Sequence, residues 1–168
     1  MNTRETTSLL TDMYELTMVD SALEHGMGQR QCVFEIFTRR FPSSRRFLVM
    51  AGVARILEGL KRFRFDDSQL KYLSDNKIVG PTTIKFLDNY EFSGDIFGYP
   101  EGEVFMVNSP ILTVRGTFAE ACLLETYLLS ILNFDCAVAS AASRMTIAAH
   151  GRPCLDMGCL LYTSDAAD

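Results

Sequence analysis

The sequence predicts an α/β protein in which helices and an antiparallel meander form one α+β unit. Three observations predict it. A helical run near the start carries a start signal at Asp12 and a stop signal at Gly26. Three short strand-like runs lie between residues 94 and 115, separated by turn residues. A long apolar stretch with helical spacing follows Phe118. The 168 residues make one domain's worth of chain, enough to bury roughly 70% of the surface that the unfolded polypeptide exposes. With 48% hydrophobic and 22% charged residues, the composition is that of a globular protein and argues against disorder.

The first helix spans about residues 12–25. Asp12 can accept a backbone N–H at its start, and Glu15 three residues on completes a capping box. Leu9, Leu10, Met13, Leu16, Val19 and Leu23 recur at helical spacing, and Gly26 ends the run. Tyr14 falls in the first turn, where a ring can reach a ligand or another subunit. Residues 31–39 read as a strand through Val33, Phe34, Ile36 and Phe37, broken by Pro42-Ser43-Ser44. Residues 47–50 form a short buried strand before Gly52. Val53, Ile56, Leu57 and Leu60 mark the next helix, Asp66-Asp67-Ser68 starts another, and Pro81 suits the first turn of a third. Strands follow at residues 94–99, 103–107 and 111–115, and the short spacing between them predicts a meander. Helices are expected at residues 118–132 and 136–149, the second rich in Ala and Ser. A buried strand is expected to begin at Cys154.

The net charge is -5, from 16 basic and 21 acidic residues. That balance gives no case for nucleic acid or an anionic membrane as partner. The basic residues are uneven: Arg39, Arg40, Arg45, Arg46, Arg55, Lys61, Arg62 and Arg64 crowd one stretch. Such an excess can serve an anionic ligand, although a solvated face is its commoner use. No run of about 18 apolar residues is read as a membrane span. The N-terminus lacks the basic start and apolar core of a signal peptide. Cys32, Cys122, Cys136, Cys154 and Cys159 form no C-x-x-C pair and are odd in number, which suits reduced thiols in a cytoplasmic protein. With only His25 and His150 to join them, no zinc-ligand spacing arises. Both histidines read as helix-end residues, and Asp95, Glu101 and Glu103 read as charges flanking a turn. No Gly-rich phosphate loop and no G-x-S-x-G elbow is present.

The segment Leu9-Leu10-Thr11-Asp12-Met13-Tyr14-Glu15-Leu16-Thr17-Met18 resembles the N-terminal signature of the nicotinate phosphoribosyltransferases. Phe34-Glu35-Ile36-Phe37-Thr38-Arg39-Arg40 and Val49-Met50-Ala51-Gly52 resemble later family segments. So do Pro100-Glu101-Gly102-Glu103, residues 108–114, residues 124–134, Ala141-Ala142-Ser143-Arg144 and Leu155-Asp156-Met157-Gly158, all in the family's order. The resemblance covers about residues 8–158. It implies an N-terminal α/β domain leading into a type II phosphoribosyltransferase α/β barrel, truncated here. It also implies a homodimer with shared active sites, and transfer of ribose 5-phosphate from phosphoribosyl pyrophosphate (PRPP) to nicotinate, coupled to ATP hydrolysis with magnesium (Mg2+). By the same resemblance Tyr14 matches a ring that packs on the pyridine from the neighbouring subunit. Asp12 matches a nearby carboxylate, and Arg39 or Arg40 matches a phosphate contact. No catalytic residue and no metal ligand is assigned within this chain.

The domain reading follows: residues 1–117 form the N-terminal α/β domain, and residues 118–158 the helices and first strand leading into the truncated barrel. Residues 159–168 depart from the family pattern. They resemble translated sequencing-adaptor DNA and are expected to be non-native. The alternatives are a nicotinamide or quinolinate phosphoribosyltransferase, and a non-catalytic dimerisation module. The Leu-Leu-Thr-Asp-x-Tyr opening favours the nicotinate enzyme.

Overall fold

The computed structural model describes residues 6–155. The expected non-native segment and most of the strand expected from Cys154 lie outside the described residues. Cys154 and Leu155 are exposed and belong to no strand. A 3-10 turn at Ser8–Leu10 leads into α1 (Met13–Glu24). Then come β1 (Gln31–Ile36), β2 (Leu48–Val49), α2 (Val53–Leu60), α3 (Asp67–Asp75) and α4 (Pro81–Asp88). β3 (Asp95–Gly98), β4 (Val104–Phe105) and β5 (Leu112–Thr117) follow, and α5 (Phe118–Cys122) and α6 (Glu125–Ala149) complete the fold. The fold is α/β as predicted, with helices on antiparallel strands. The barrel is not among the described residues.

The strands do not form a meander. β5 is the central strand of a three-stranded sheet in the order β1-β5-β3, and β4 pairs instead with β2. The register runs from Gln31 opposite Thr117 to Ile36 opposite Leu112, and from Asp95 opposite Arg115 to Gly98 opposite Leu112. Two local causes divert β4. The turn at Pro100–Gly102 places Gly102 at φ +85°, a left-handed conformation that glycine adopts without strain. Its N–H then donates to the Met50 carbonyl at 2.8 Å, and the Met50 N–H donates to the Glu103 carbonyl at 2.8 Å. These bonds fix β4 beside β2. β5 keeps Leu112 and Val114 buried on one face while Arg115 points to solvent, so its inner face is covered and both edges are paired.

The long helix also departs from the expected pattern. A break was expected near residues 133–135, but the helix is interrupted at Leu123 and Leu124 and then runs unbroken from Glu125 to Ala149. Its buried residues Tyr127, Leu128, Ile131, Leu132, Cys136 and Ser140 make one stripe at helical period, which passes straight through the expected break. Asn133 is exposed, and Asp135 pairs with Arg55 of α2 at 2.7 Å. Asn133 and Asp135 sit within a continuing helix, where Asn133 lines a cleft and Asp135 faces α2. By length and composition Phe118–Ala149 is apolar enough to cross a membrane, yet half of its most apolar window is buried in this core.

Every helix start of α1 to α6 has an acceptor, supplied in one of two ways. α1, α3 and α5 carry their own capping boxes: Asp12 with Glu15, Asp66 with Gln69, and Thr117 with Glu120. α2, α4 and α6 begin at Gly52, Gly80 and Leu124, which offer no side-chain cap. Each receives a carboxylate from elsewhere. Glu101 accepts from the Gly52 and Ala54 N–H groups at 3.1 and 3.2 Å. Asp20 accepts from the Gly80 N–H at 2.8 Å and the Thr83 hydroxyl at 2.6 Å. Glu15 accepts from the Thr126 N–H at 2.7 Å. Each carboxylate satisfies orphan N–H groups and meets the positive end of a helix dipole. Because each also joins two distant segments, helix capping and tertiary packing are one interaction here.

α2 and α6 approach closely at Gly59, where a Cβ would lie 1.7 Å from the Tyr127 hydroxyl oxygen. That hydroxyl donates towards the Arg55 and Ile56 carbonyls, each at 3.2 Å. One hydrophobic cluster draws on both sides of residue 117, from Leu16 and Ile56 to Leu128 and Cys136. Cys32, Cys122, Cys136 and Cys154 are free thiols. Burial pushes the Cys122 thiol up to about 12.

Removing a remote cap should cost more than removing an exposed ion pair. Asp20→Ala should lower the unfolding free energy by about 1–2 kcal/mol in urea titrations with an unchanged slope. Asp75→Ala, which breaks the exposed pair with Lys71, should cost about 0.5 kcal/mol or less. Equal losses would contradict the capping role of Asp20.

Candidate functional site

The first part of the site is the start of α1. Asp12 accepts from the Met13 N–H at 2.6 Å and closes the capping box with Glu15. Glu15 is fully buried. One of its oxygens accepts from the Asp12 N–H at 3.0 Å and from the Thr11 hydroxyl. The other accepts from the Thr126 N–H at 2.7 Å and the Thr126 hydroxyl at 2.6 Å. This corner of α1 is thereby fixed to the start of α6. Tyr14 is adjacent to Glu15 in sequence but points outward, 43% exposed. Its hydroxyl lies beside Glu125 and Thr126. Burial of the hydroxyl first, and then the neighbouring Glu125 carboxylate, push it up to about 12.

Leu9, Leu10 and Met13 share the helical spacing of Leu16, Val19 and Leu23, but Leu9 and Leu10 lie in the 3-10 turn before the helix. All three are exposed, as are Tyr14 and Met18. Only Leu16 and Val19 of the expected stripe are buried, with Leu23 partly so. The physical reason is Glu15: its bonds to Thr126 turn the Glu15–Leu16–Val19 side of α1 inward and leave the Met13–Tyr14 side in solvent.

The second part is a cleft of about 420 Å³ between the segment after β1 and the middle of α6. Arg39, Arg40 and Arg45 line it on one side, and Asn133 and Cys136 of α6 on the other, over a floor that includes Phe105. An adjoining depression of about 270 Å³ is lined by Arg39, Phe34, Leu128 and Glu125. Glu125 therefore borders both the Tyr14 hydroxyl and the depression that leads to Arg39. The chemistry on offer is an aromatic face suited to a flat ring and guanidinium groups shaped for phosphate or carboxylate oxygens.

The sequence of this scaffold matches the family described as the nicotinate phosphoribosyltransferase (NAPRTase) N-terminal domain over residues 9–133. The chain belongs to the nicotinate phosphoribosyltransferase family. It is 51% identical over 150 residues to nicotinate phosphoribosyltransferase pncB1 of Mycobacterium tuberculosis, covering 89% of this chain and 33% of that protein. It is 33% identical over 138 residues to nicotinate phosphoribosyltransferase of Bacillus subtilis, covering 82% of this chain and 28% of that one. The crystal structure of human nicotinic acid phosphoribosyltransferase superposes with a TM-score of 0.79 at 28% identity, covering 86% of this chain and 30% of the human one. The chain thus spans about a third or less of the length of these relatives.

Of the residues that the family resemblance singles out, Arg39 and Arg40 come together in the cleft, while Asp12 and Tyr14 share the capped corner of α1. Neither Asp12 nor Tyr14 lines the cleft. His25 and His150 end α1 and α6, as expected for helix-end residues, and line neither cavity. Among the described residues no three His, Cys, Asp or Glu side chains gather as a metal set. Sequence reasoning missed Glu125, Asn133 and the second role of Glu15. Glu15 is visible as a capping-box residue, but its partner Thr126 is 111 positions away and leaves no local mark. Arg45 was visible only as one of eight bases in a crowded stretch.

The raised Tyr14 value sets the sign of a pH effect. An unfolded tyrosine releases its proton near 10, whereas in the folded chain Tyr14 holds it to about 12. Across that window the folded chain binds more protons, so stability falls as pH rises from 10 towards 12. Tyr14→Phe should flatten this decline in urea midpoints measured across the window. An unchanged decline would show that the hydroxyl proton is not held beside Glu125 and Thr126.

Proposed function

We propose that these residues are the opening part of a cytoplasmic nicotinate phosphoribosyltransferase acting in NAD salvage. In this reading the pyridine nitrogen of nicotinate forms a bond to C1 of the ribose in PRPP. The bond from C1 to the pyrophosphate oxygen breaks, giving nicotinate mononucleotide and pyrophosphate, with ATP hydrolysis coupled and Mg2+ accompanying the phosphates. The observation that carries the reading is the 51% identity, over nine-tenths of this chain, to a protein named for that activity.

The geometry supports the residue roles. Tyr14 presents its ring from a helix start that Glu15 immobilises, so little side-chain freedom is lost when a flat heterocycle stacks on it. Asp12 caps the same turn and orients it. Arg39 and Arg40 stand where a phosphate group would be gripped by charge-assisted bonds. The exposed side chains of Leu9, Leu10, Met13 and Met18, near Tyr14 in sequence, support a homodimer, in which a second copy covers this corner and receives the ring. Because the relatives are about three times as long, we also propose that the 168 residues alone have no transferase activity.

Product formation in the complete enzyme tests the reading. With PRPP, ATP and Mg2+ it should convert nicotinate to its mononucleotide and leave nicotinamide and quinolinate unchanged. Tyr14→Ala in that enzyme should raise the KM for nicotinate about five- to tenfold, the worth of a lost aromatic stack. The 168-residue chain should give no product. Turnover of nicotinamide or quinolinate instead would overturn the substrate assignment. A KM indifferent to Tyr14 would overturn its role, and product from the short chain would overturn the proposed inactivity.

A further inference from the structure

A separate cavity, of about 510 Å³, shares no residue with the arginine cleft or the depression beside it. Two segments build it: residues 60–65, at and after the end of α2, and residues 88–92, at and after the end of α4. Aromatic rings draw the two together. The Phe63 and Tyr90 ring centroids stand 5.4 Å apart, and the Phe65 ring meets Tyr90 edge-on at 6.1 Å. Phe63, Phe65 and Tyr90 are buried, and the Tyr90 hydroxyl donates to the Glu120 carbonyl at 2.9 Å. The floor is therefore apolar and fixed before any ligand arrives, as in most small-molecule sites.

Charge is divided between the two segments. The first brings Lys61 and Arg64 to the cavity, and the second brings Asp88 and Glu91. All four are exposed. Among the described residues Arg64, Asp88 and Glu91 form no ion pair, and Lys61 forms one, with Glu58 at 3.5 Å. Arg64 is kept in place by its own turn, where its guanidinium donates to the Lys61 carbonyl at 3.0 Å. One cavity thus carries cations on one segment and anions on the other, and they do not neutralise each other. Opposite charges that stay unpaired over an apolar floor leave both signs free for a ligand.

We propose that this cavity binds a small zwitterion with an aromatic body and its two charges at opposite ends, the chemistry of a free aromatic dipeptide. The ligand ring packs on the floor of Phe63, Phe65 and Tyr90. Its carboxylate meets Arg64 and Lys61 in charge-assisted bonds, and its ammonium meets Asp88 and Glu91. A simple anion would satisfy the first segment alone, and a simple cation the second alone. A single amino acid holds both charges on one carbon, whereas Phe63 and Tyr90, one from each segment, stand 5.4 Å apart. A dipeptide covers that distance, at about 3.3–3.6 Å per residue. The volume, about 510 Å³, falls within the range of about 300–1,000 Å³ that small-molecule sites occupy.

Chemical-shift titration of the 168-residue chain at low ionic strength tests this with phenylalanylglycine and three analogues. The N-acetyl form lacks the ammonium, the C-terminal amide lacks the carboxylate, and alanylglycine lacks the ring. Phenylalanylglycine should bind about tenfold tighter than each analogue, since each has lost one charge-assisted or aromatic contact. The shifted amides should lie in residues 60–65 and 88–92. Arg64→Ala should weaken phenylalanylglycine about tenfold and leave the amide unaffected, because the amide has no carboxylate to lose. Glu91→Gln should weaken phenylalanylglycine and leave the N-acetyl form unaffected. Arg46→Ala, at an exposed arginine outside the cavity, should change nothing, and thermal unfolding of each variant checks that the fold is kept. Equal affinities for all of these compounds, no binding of phenylalanylglycine, shifts confined to other residues, or equal effects of Arg64→Ala and Arg46→Ala would overturn the proposal.

Discussion

The carboxylate of Glu15 has no exposure to solvent, and both of its oxygens are engaged. One closes the start of α1 through the Asp12 N–H and the Thr11 hydroxyl, and the other closes the start of α6 through the N–H and hydroxyl of Thr126. A buried carboxylate without partners would cost several kcal/mol. Here the positive ends of two helix dipoles converge on it, and each oxygen accepts two donors. Much else depends on this geometry. It decides which side of α1 enters the core, and so leaves Tyr14, Met13 and Met18 outside. It also sets the origin of α6, the helix that supplies the far wall of the arginine cleft.

The same device recurs at lower burial. Asp20 and Glu101 do for α4 and α2 what Glu15 does for α6. In each case the helix begins at a residue that cannot cap itself, and its start is completed only when a distant segment arrives. Such helices gain their caps at the moment of tertiary assembly, which couples secondary structure to packing and favours cooperative folding. The apolar stripe of α6 then buries Tyr127, Leu128, Ile131 and Leu132 against the rest of the core. Beyond Ser140 no described residue of α6 is buried, and Met145 and Ile147 are exposed.

Local signals were legible in the sequence and long-range ones were not. Asp12 with Glu15, Gly26, Asp66 and Pro81 each announce a helix boundary within a few residues, and each boundary stands where the pattern places it. The strands were legible as strands, but their pairing was not. Nothing in residues 103–107 reveals that Met50 will take their hydrogen bonds, so a meander was the simpler expectation. The break before α6 was misplaced because Asn133 and Asp135 look like a boundary when read locally. Only the Arg55 partner and the continuing buried stripe show that the helix runs on through them. The site followed the same division: Tyr14, Asp12, Arg39 and Arg40 stood out through family resemblance. Glu125, Asn133 and Arg45 gain meaning only once α6 lies across the segment after β1.

The central claim is that Glu15 and Thr126 act as one unit joining the Tyr14 corner to α6. A double-mutant cycle on urea unfolding, with Glu15→Gln, Thr126→Val and the pair, measures that directly. The account predicts strongly non-additive losses, with a coupling energy of about 1–3 kcal/mol. Losses that sum to within about 0.5 kcal/mol would show that the two residues act separately and that the corner is held by something else.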